Sequence, residues 1–219
     1  MVNSERIYII LCILFSVIIV IGNLTYQKFV SLAIFPFHSF ELGVGAILYP
    51  LTFLITDLIT EFYGKEKAKF CVRCAILMNI LVVIIVSFMD MLPATSWSKI
   101  DNVSFHNMFG FYSVSFAGSI IACYISQIVD VSIYLWIRKI TNGKFLWLRS
   151  NGSTAISLFI DTFIVITFLS LFGVLPAERL WILIANSYVF KLFFTISSTP
   201  LFYLCVLGIR MLIRKDSIQ

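Results

Sequence analysis

Residues 43–69, GVGAILYPLTFLITDLITEFYGKEKAK, most narrow what this chain can fold into. The apolar body is long enough to cross a bilayer, which takes roughly 20 residues of helix. Yet it carries two carboxylates, Asp57 and Glu61, near one end, and it stops at Tyr63-Gly64 against Lys65, Lys67 and Lys69. A charged side chain at the bilayer centre costs about 2.5–3.5 kcal/mol on insertion scales. An apolar helix that accepts this cost and then meets a basic cluster suggests a membrane protein with a polar interior.

Composition agrees. The chain is 60% hydrophobic and 12% charged, with mean hydropathy +1.01, whereas a soluble domain carries about 25% charged residues. The net charge of +5 does not mark a nucleic-acid binder, because the basic residues sit at the ends of apolar runs rather than on one amphipathic face. Apolar runs at 7–24, 42–61, 70–89, 109–137, 153–172 and 180–209 predict an all-α integral membrane protein. They amount to about six transmembrane helices in one bundle, as a single domain over residues 1–219. The last run contains Pro200. A shorter apolar run, 29–40, is broken by Pro36 and His38 and reads as a re-entrant or interfacial segment. No small-x-small cleavage site follows the first run, so it reads as a retained helix rather than a secretory signal.

Lys and Arg set the orientation. One alternating set of segments holds Arg6, then Lys65, Lys67, Lys69 and Arg73, then Arg138, Lys139, Lys144 and Arg149, then Arg210, Arg214 and Lys215. The other holds only Lys28, Lys99 and Arg179. Both termini are therefore expected on the cytoplasmic side. The longest connection, 90–108, falls outside, with Trp97 and Phe105 as interfacial anchors.

Within the runs lie Asp57, Glu61, Asp130, Asp161 and Lys191, joined by Asn23, Gln27, Asn79, Gln127 and Asn186. Such groups face a bundle interior or a wet cavity. Asp57 and Glu61 are four apart and share a helix face, as do Gln127 and Asp130, three apart. Asn186 and Lys191 are five apart and diverge by roughly 140°. Lys191 therefore needs a carboxylate from another helix, and Asp161 is the best placed; the pair reads equally as a structural ion pair or a substrate contact. Asp57 and Asp130 lack an evident cation in the membrane, which favours a functional role. Glu61 reads either as a solvated edge acid or, with Asp57, as a coupling or gating group. Asn79 fits a helix–helix hydrogen bond. Phe53, Tyr124, Tyr188 and Phe194 stand near the polar positions as stacking platforms for a planar ligand.

Metal and catalytic signatures are missing. Cys71-Val-Arg-Cys74 has ligand-like spacing but no second pair and no nearby His, and the five cysteines read as structural. His38 and His106 read as loop residues. There is no HExxH, P-loop or dinucleotide fingerprint. The acids of TDLITEFYG are wrongly spaced for an alcohol phosphotransferase, and Asn151-Gly152-Ser153-Thr154 has no in-membrane His for a serine protease. A transporter without resident metal or cofactor is expected, not an enzyme. It would work down a gradient, couple to protons or ions through its acids, or borrow an energising partner; homo-oligomers stay open.

Residues 49–64, YPLTFLITDLITEFYG, resemble the signature of the queuosine precursor transporter family, also called the vitamin uptake transporter family. Supporting matches are Asn23-Leu24-Thr25 with Lys28-Phe29, Ser126-Gln127-Ile128-Val129-Asp130-Val131, the stretch from Leu148-Arg149-Ser150-Asn151 to Asp161-Thr162, residues 186–191, and Thr199-Pro200. Phe62 stands where the family often has Val. The resemblance implies an importer in the cell inner membrane for 7-deazaguanine bases such as preQ0, preQ1 or queuine, which are salvaged into tRNA queuosine. It also implies six helices and no ATPase of its own. A guanine-like edge presents two N–H donors beside a carbonyl. A carboxylate (Asp57, Asp130 or Asp161) would accept from the donors, and Gln127, Asn186 or Lys191 would donate to the carbonyl. A ring such as Phe53 or Tyr124 would stack on the base. Alternatives are an importer, or a substrate-binding membrane subunit, for another heterocycle or vitamin.

Overall fold

A computed structural model describes residues 2–25, 28–35, 38–110, 112–173 and 175–216. The elements in chain order are α1 (Val2–Thr25), β1 (Phe29–Phe35), β2 (His38–Gly43), α2 (Gly45–Leu48), α3 (Pro50–Asp90), α4 (Asn102–Phe109), α5 (Tyr112–Ile140), α6 (Leu146–Leu171), a 3-10 turn (Ala177–Arg179), α7 (Leu180–Ser197) and α8 (Thr199–Asp216). Among the described residues, five helices are long and apolar enough to cross a membrane. Their outward faces carry large apolar side chains such as Ile13, Phe88, Phe159 and Ile182. In water this would be a liability; in lipid it is the expected outer surface.

α3 is two arms joined at Gly64, whose φ of 79° and ψ of 179° only glycine adopts without strain. The arms flank α1 in opposite directions. In the first arm Tyr63 donates to the Ser4 carbonyl at 2.8 Å, while at the other end Gly45 of α2 meets Gly22 of α1. In the second arm Tyr8 donates to the Lys67 carbonyl at 3.0 Å and Asn23 to Asn79 at 3.1 Å. Contacts thus run 4 to 63 and 22 to 45 along one arm, and 8 to 67 and 23 to 79 along the other, so the chain reverses at Gly64. A Cβ on Gly45 would lie 2.0 Å from the Gly22 carbonyl oxygen, so glycine is what lets α1 and α2 approach this closely. The main apolar core fills the space between α1 and both arms with Leu11, Phe15, Ile55, Leu58, Val72 and Ala75, closed by Phe202 and Val206 of α8.

α5 and α6 form a hairpin, and α7 with α8 returns antiparallel to α6: Lys191 faces Asp161, and Asn151 donates to Thr199 at 2.9 Å. Three expectations change here. The run 180–209 is not one helix. It breaks at Ser198 because Pro200 has no N–H to donate into the preceding turn and sits instead in the first turn of a new helix. The segment 29–40 is an antiparallel hairpin, Phe29 opposite Gly43 and Leu32 opposite Phe40, with Pro36 and Phe37 at its tip outside the described residues. Phe40 and Leu42 pack on Phe190 of α7 and so pin the hairpin to the bundle. His106 is not in a loop but in α4, 2.7 Å from Asp90 at the end of α3. Asp101 caps α4 by accepting from the Ser104 amide at 2.9 Å, and hydrogen bonding from Ser104 holds its carboxyl below the usual range.

Candidate functional site

The first arm of α3 places Tyr49, Thr52, Phe53, Thr56, Asp57, Thr60 and Glu61 at intervals of three and four, so they line one side of a helix. That side faces α5 and α6 rather than lipid. It builds a column of polar groups through the bundle, and over the 12 positions from Tyr49 to Glu61 the helix rises about 18 Å.

At the end nearest the basic loops, the Glu61 side chain is 6% exposed and lies 2.7 Å from Arg149, 3.8 Å from Arg138 and 3.7 Å from Arg210. Tyr134 donates to Glu61 at 3.0 Å and accepts from Arg149 Nε at 3.1 Å. One turn deeper, Ser150 donates to Asp57 Oδ2 through a short hydrogen bond, and Thr154 donates to Asp130 Oδ1 at 3.4 Å. The Asp57 and Asp130 carboxyl groups abut one another. Asp57 Oδ1 and Asp130 Oδ2 are buried and take no hydrogen bond from any donor among the described residues.

Deeper again, Gln127 is buried between Thr56, which donates to its carbonyl at 2.8 Å, and Thr52, which accepts from its amide at 3.2 Å. The far level is an ionic centre. Lys191 Nζ donates to Asp161 Oδ2 at 2.9 Å and to Thr162 Oγ1 at 3.1 Å, and Tyr49 donates to Asp161 Oδ1 at 2.6 Å. Lys191 also stands 4.7 Å from the Tyr49 ring centre, and Phe53 meets that ring edge-on at 5.8 Å. A cavity of about 80 Å³ reaches Lys191, lined also by Thr162, Ser187, Ala46 and Phe29. It shares Phe29, Leu175 and Leu183 with an outer cavity of about 420 Å³, whose rim carries Glu41 and Arg179, 3.5 Å apart.

The column thus joins two carboxyls and an amide to an ionic centre, and Lys191 of that centre borders a cavity beside the hairpin. A family model described as "Putative vitamin uptake transporter" matches residues 43–205. The chain belongs to this family. The match spans the polar column from Tyr49 to Lys191. A protein of Bacillus subtilis (strain 168) named "Probable queuosine precursor transporter" is 31% identical over 161 residues, covering 73% of this chain and 69% of that one. No solved structure matches. The chain is a multi-pass membrane protein of a transporter family.

Of the residues singled out from the sequence, Phe53, Asp57, Gln127, Asp130, Asp161 and Lys191 all lie in the column. Tyr124 does not: it is 39% exposed beside Arg73, Ile76 and Leu77, on the face of α5 turned to the second arm of α3. The ring at the ionic centre is Tyr49 instead. Asn186 is half-buried on α7 and makes no side-chain hydrogen bond among the described residues, which fits its divergence from Lys191. Tyr188 packs edge-on against Phe159, and Phe194 on Phe190, both away from the column. Gln27 lies outside the described residues. Glu61 is not a solvated edge acid, because its carboxylate is buried against Arg149. Asn79 accepts from Asn23 across α1 and α3. The cysteines are free thiols, and no metal-holding cluster occurs among the described residues.

Sequence reasoning missed Tyr49, Arg149 and Ser150. Arg149 counted as a topological charge and as part of a family-like stretch, not as a site residue, yet it is 2% exposed. Its neighbours held the signal: Arg149-Ser150-Asn151 opens a run of small polar residues (Gly152, Ser153, Thr154, Ser157) spaced to face a helix partner.

Proposed function

We propose that this protein imports queuosine precursor bases, 7-deazaguanines such as preQ0, preQ1 or queuine, across the cytoplasmic membrane for salvage into tRNA. In this reading the chain crosses six times, the two arms of α3 counting separately, with both termini in the cytoplasm. The Lys and Arg asymmetry and the reversal at Gly64 support that count.

The observation that carries the reading is the ionic centre at Asp161, Lys191 and Tyr49, whose Lys191 borders the inner cavity. A guanine-like edge needs an acceptor for two N–H groups and a donor for its carbonyl. Asp161 and Lys191 supply both from one site, and Tyr49 and Phe53 supply aromatic faces. Substrate entry would exchange the internal Asp161–Lys191 contact for contacts to the base, so no buried charge is left bare. The amide of Gln127 offers a further donor and acceptor deeper in the column. The reading treats the chain as a carrier rather than an enzyme.

A second reading, import of another small heterocycle, is favoured by the family description itself. Uptake of labelled preQ1 by the purified protein in liposomes separates the two. The expected result is uptake that unlabelled preQ0 or queuine suppresses and vitamins do not. Suppression by a vitamin alone favours the second reading. Uptake only with added cellular components indicates an energising partner.

A further inference from the structure

We propose that the Asp57–Asp130 carboxyl pair is a proton-binding site, holding one proton shared between the two acids, and that a proton gradient enters the transport cycle there. The role in the cycle rests on the transport reading above; the proton site does not.

Ser150 and Thr154 satisfy one oxygen of each acid, leaving Asp57 Oδ1 and Asp130 Oδ2 buried without a donor while the carboxyls abut. An ionised carboxylate only accepts, so two in contact offer each other nothing and repel strongly in a low-dielectric interior. One proton converts that contact into a hydrogen bond. Ser153 and Ser157 also border Asp130, and the buried Ser157 hydroxyl has no hydrogen-bond partner among the described residues.

The charged neighbours do not remove the need. On α3, Glu61 lies one turn away and is itself negative. From α6, Arg149 is the near cation, but its guanidinium is engaged by Glu61 at 2.7 Å and by the Gly143 carbonyl at 2.8 Å. From α5, Tyr134 donates to Glu61. Lys191 of α7 is held by Asp161, and Arg210 of α8 stands at Glu61. Beside Asp57, the α3 residues Ile55, Leu58 and Ile59 share an apolar cluster with Leu11, Phe15 and Ile19 of α1. Among the described residues neither acid forms an ion pair. The pair also bridges α3 and α5, one turn from the Glu61 cluster and about two turns from Tyr49 of the ionic centre. Loss of the proton would set two like charges between those helices and force them apart, which ties protonation to the shape of the path.

Infrared spectroscopy of the full-length protein in lipid tests the site without any substrate. Wild type should show a protonated-carboxyl band at neutral pH that is insensitive to exchanging choline for sodium. Asp57→Asn and Asp130→Asn should each lose it, because the Asn amide supplies the missing donor to the remaining carboxylate. A wild type without the band, a band that survives in both variants, or a band displaced by sodium overturns the proposal. In liposomes, an acid-outside gradient should raise preQ1 accumulation several-fold in wild type and leave both variants unresponsive. Uptake indifferent to the gradient in wild type, or equally responsive in both variants, overturns the coupling. Should no base enter under any gradient, the substrate reading falls, and the infrared band decides the proton site by itself.

Discussion

Lys191→Met abolishes uptake and, alone, lowers the yield of folded protein. Asp161 is 2% exposed, and its only cation is Lys191 at 2.9 Å among the described residues. Breaking a buried pair from one side costs about 3–5 kcal/mol, because the surviving charge is left uncompensated. The double variant Asp161→Asn with Lys191→Met removes both charges, and a neutral pair of similar size restores most of the lost stability. It should return the thermal midpoint in detergent close to wild type while uptake of labelled base stays absent. The two measurements separate the roles that the sequence leaves level: a purely structural pair predicts that uptake returns together with stability.

Glu61→Gln has the second large effect, at the other end of the column. Three guanidinium groups converge on this carboxylate, but they are not equal. Arg138 and Arg210 are 41% and 59% exposed, so each contributes about 0–1 kcal/mol. Arg149 is 3% exposed at its side chain and sits 2.7 Å away, so its loss of partner dominates, at about 3–5 kcal/mol. Glu61→Gln should therefore lower the apparent melting temperature far more than Arg210→Ala. Equal, small shifts for the two would mean that the buried contact contributes no more than the exposed ones.

The helices were legible because a bilayer demands roughly 20 apolar residues per crossing and leaves no cheaper way to satisfy the backbone. The reversal between Tyr63 and Lys65 could be read from a glycine followed by a basic cluster. The hairpin at 29–43 could not, since an apolar stretch too short to span has no period that separates strand from interfacial helix, and it is anchored by packing on Phe190 far along the chain. The break at Ser198 was signalled by Pro200 but hidden by unbroken hydropathy on both sides. In the site, the Asp161–Lys191 contact was legible because charges deep in a span must find each other. Tyr124 was not rejected because, with 16% aromatic residues, a ring near a polar position carries little information. Arg149 was hidden by lying just outside an apolar run, where basic residues usually report only topology.

The most direct measurement of the central claim is tRNA queuosine in cells that can neither make the precursor nor import it, carrying this protein and fed single bases. The account expects modification to appear with a 7-deazaguanine base, and to vanish in membrane-inserted Lys191→Met with Asp161→Asn. Unmodified tRNA with every base, while a working importer restores modification in the same cells, would contradict it.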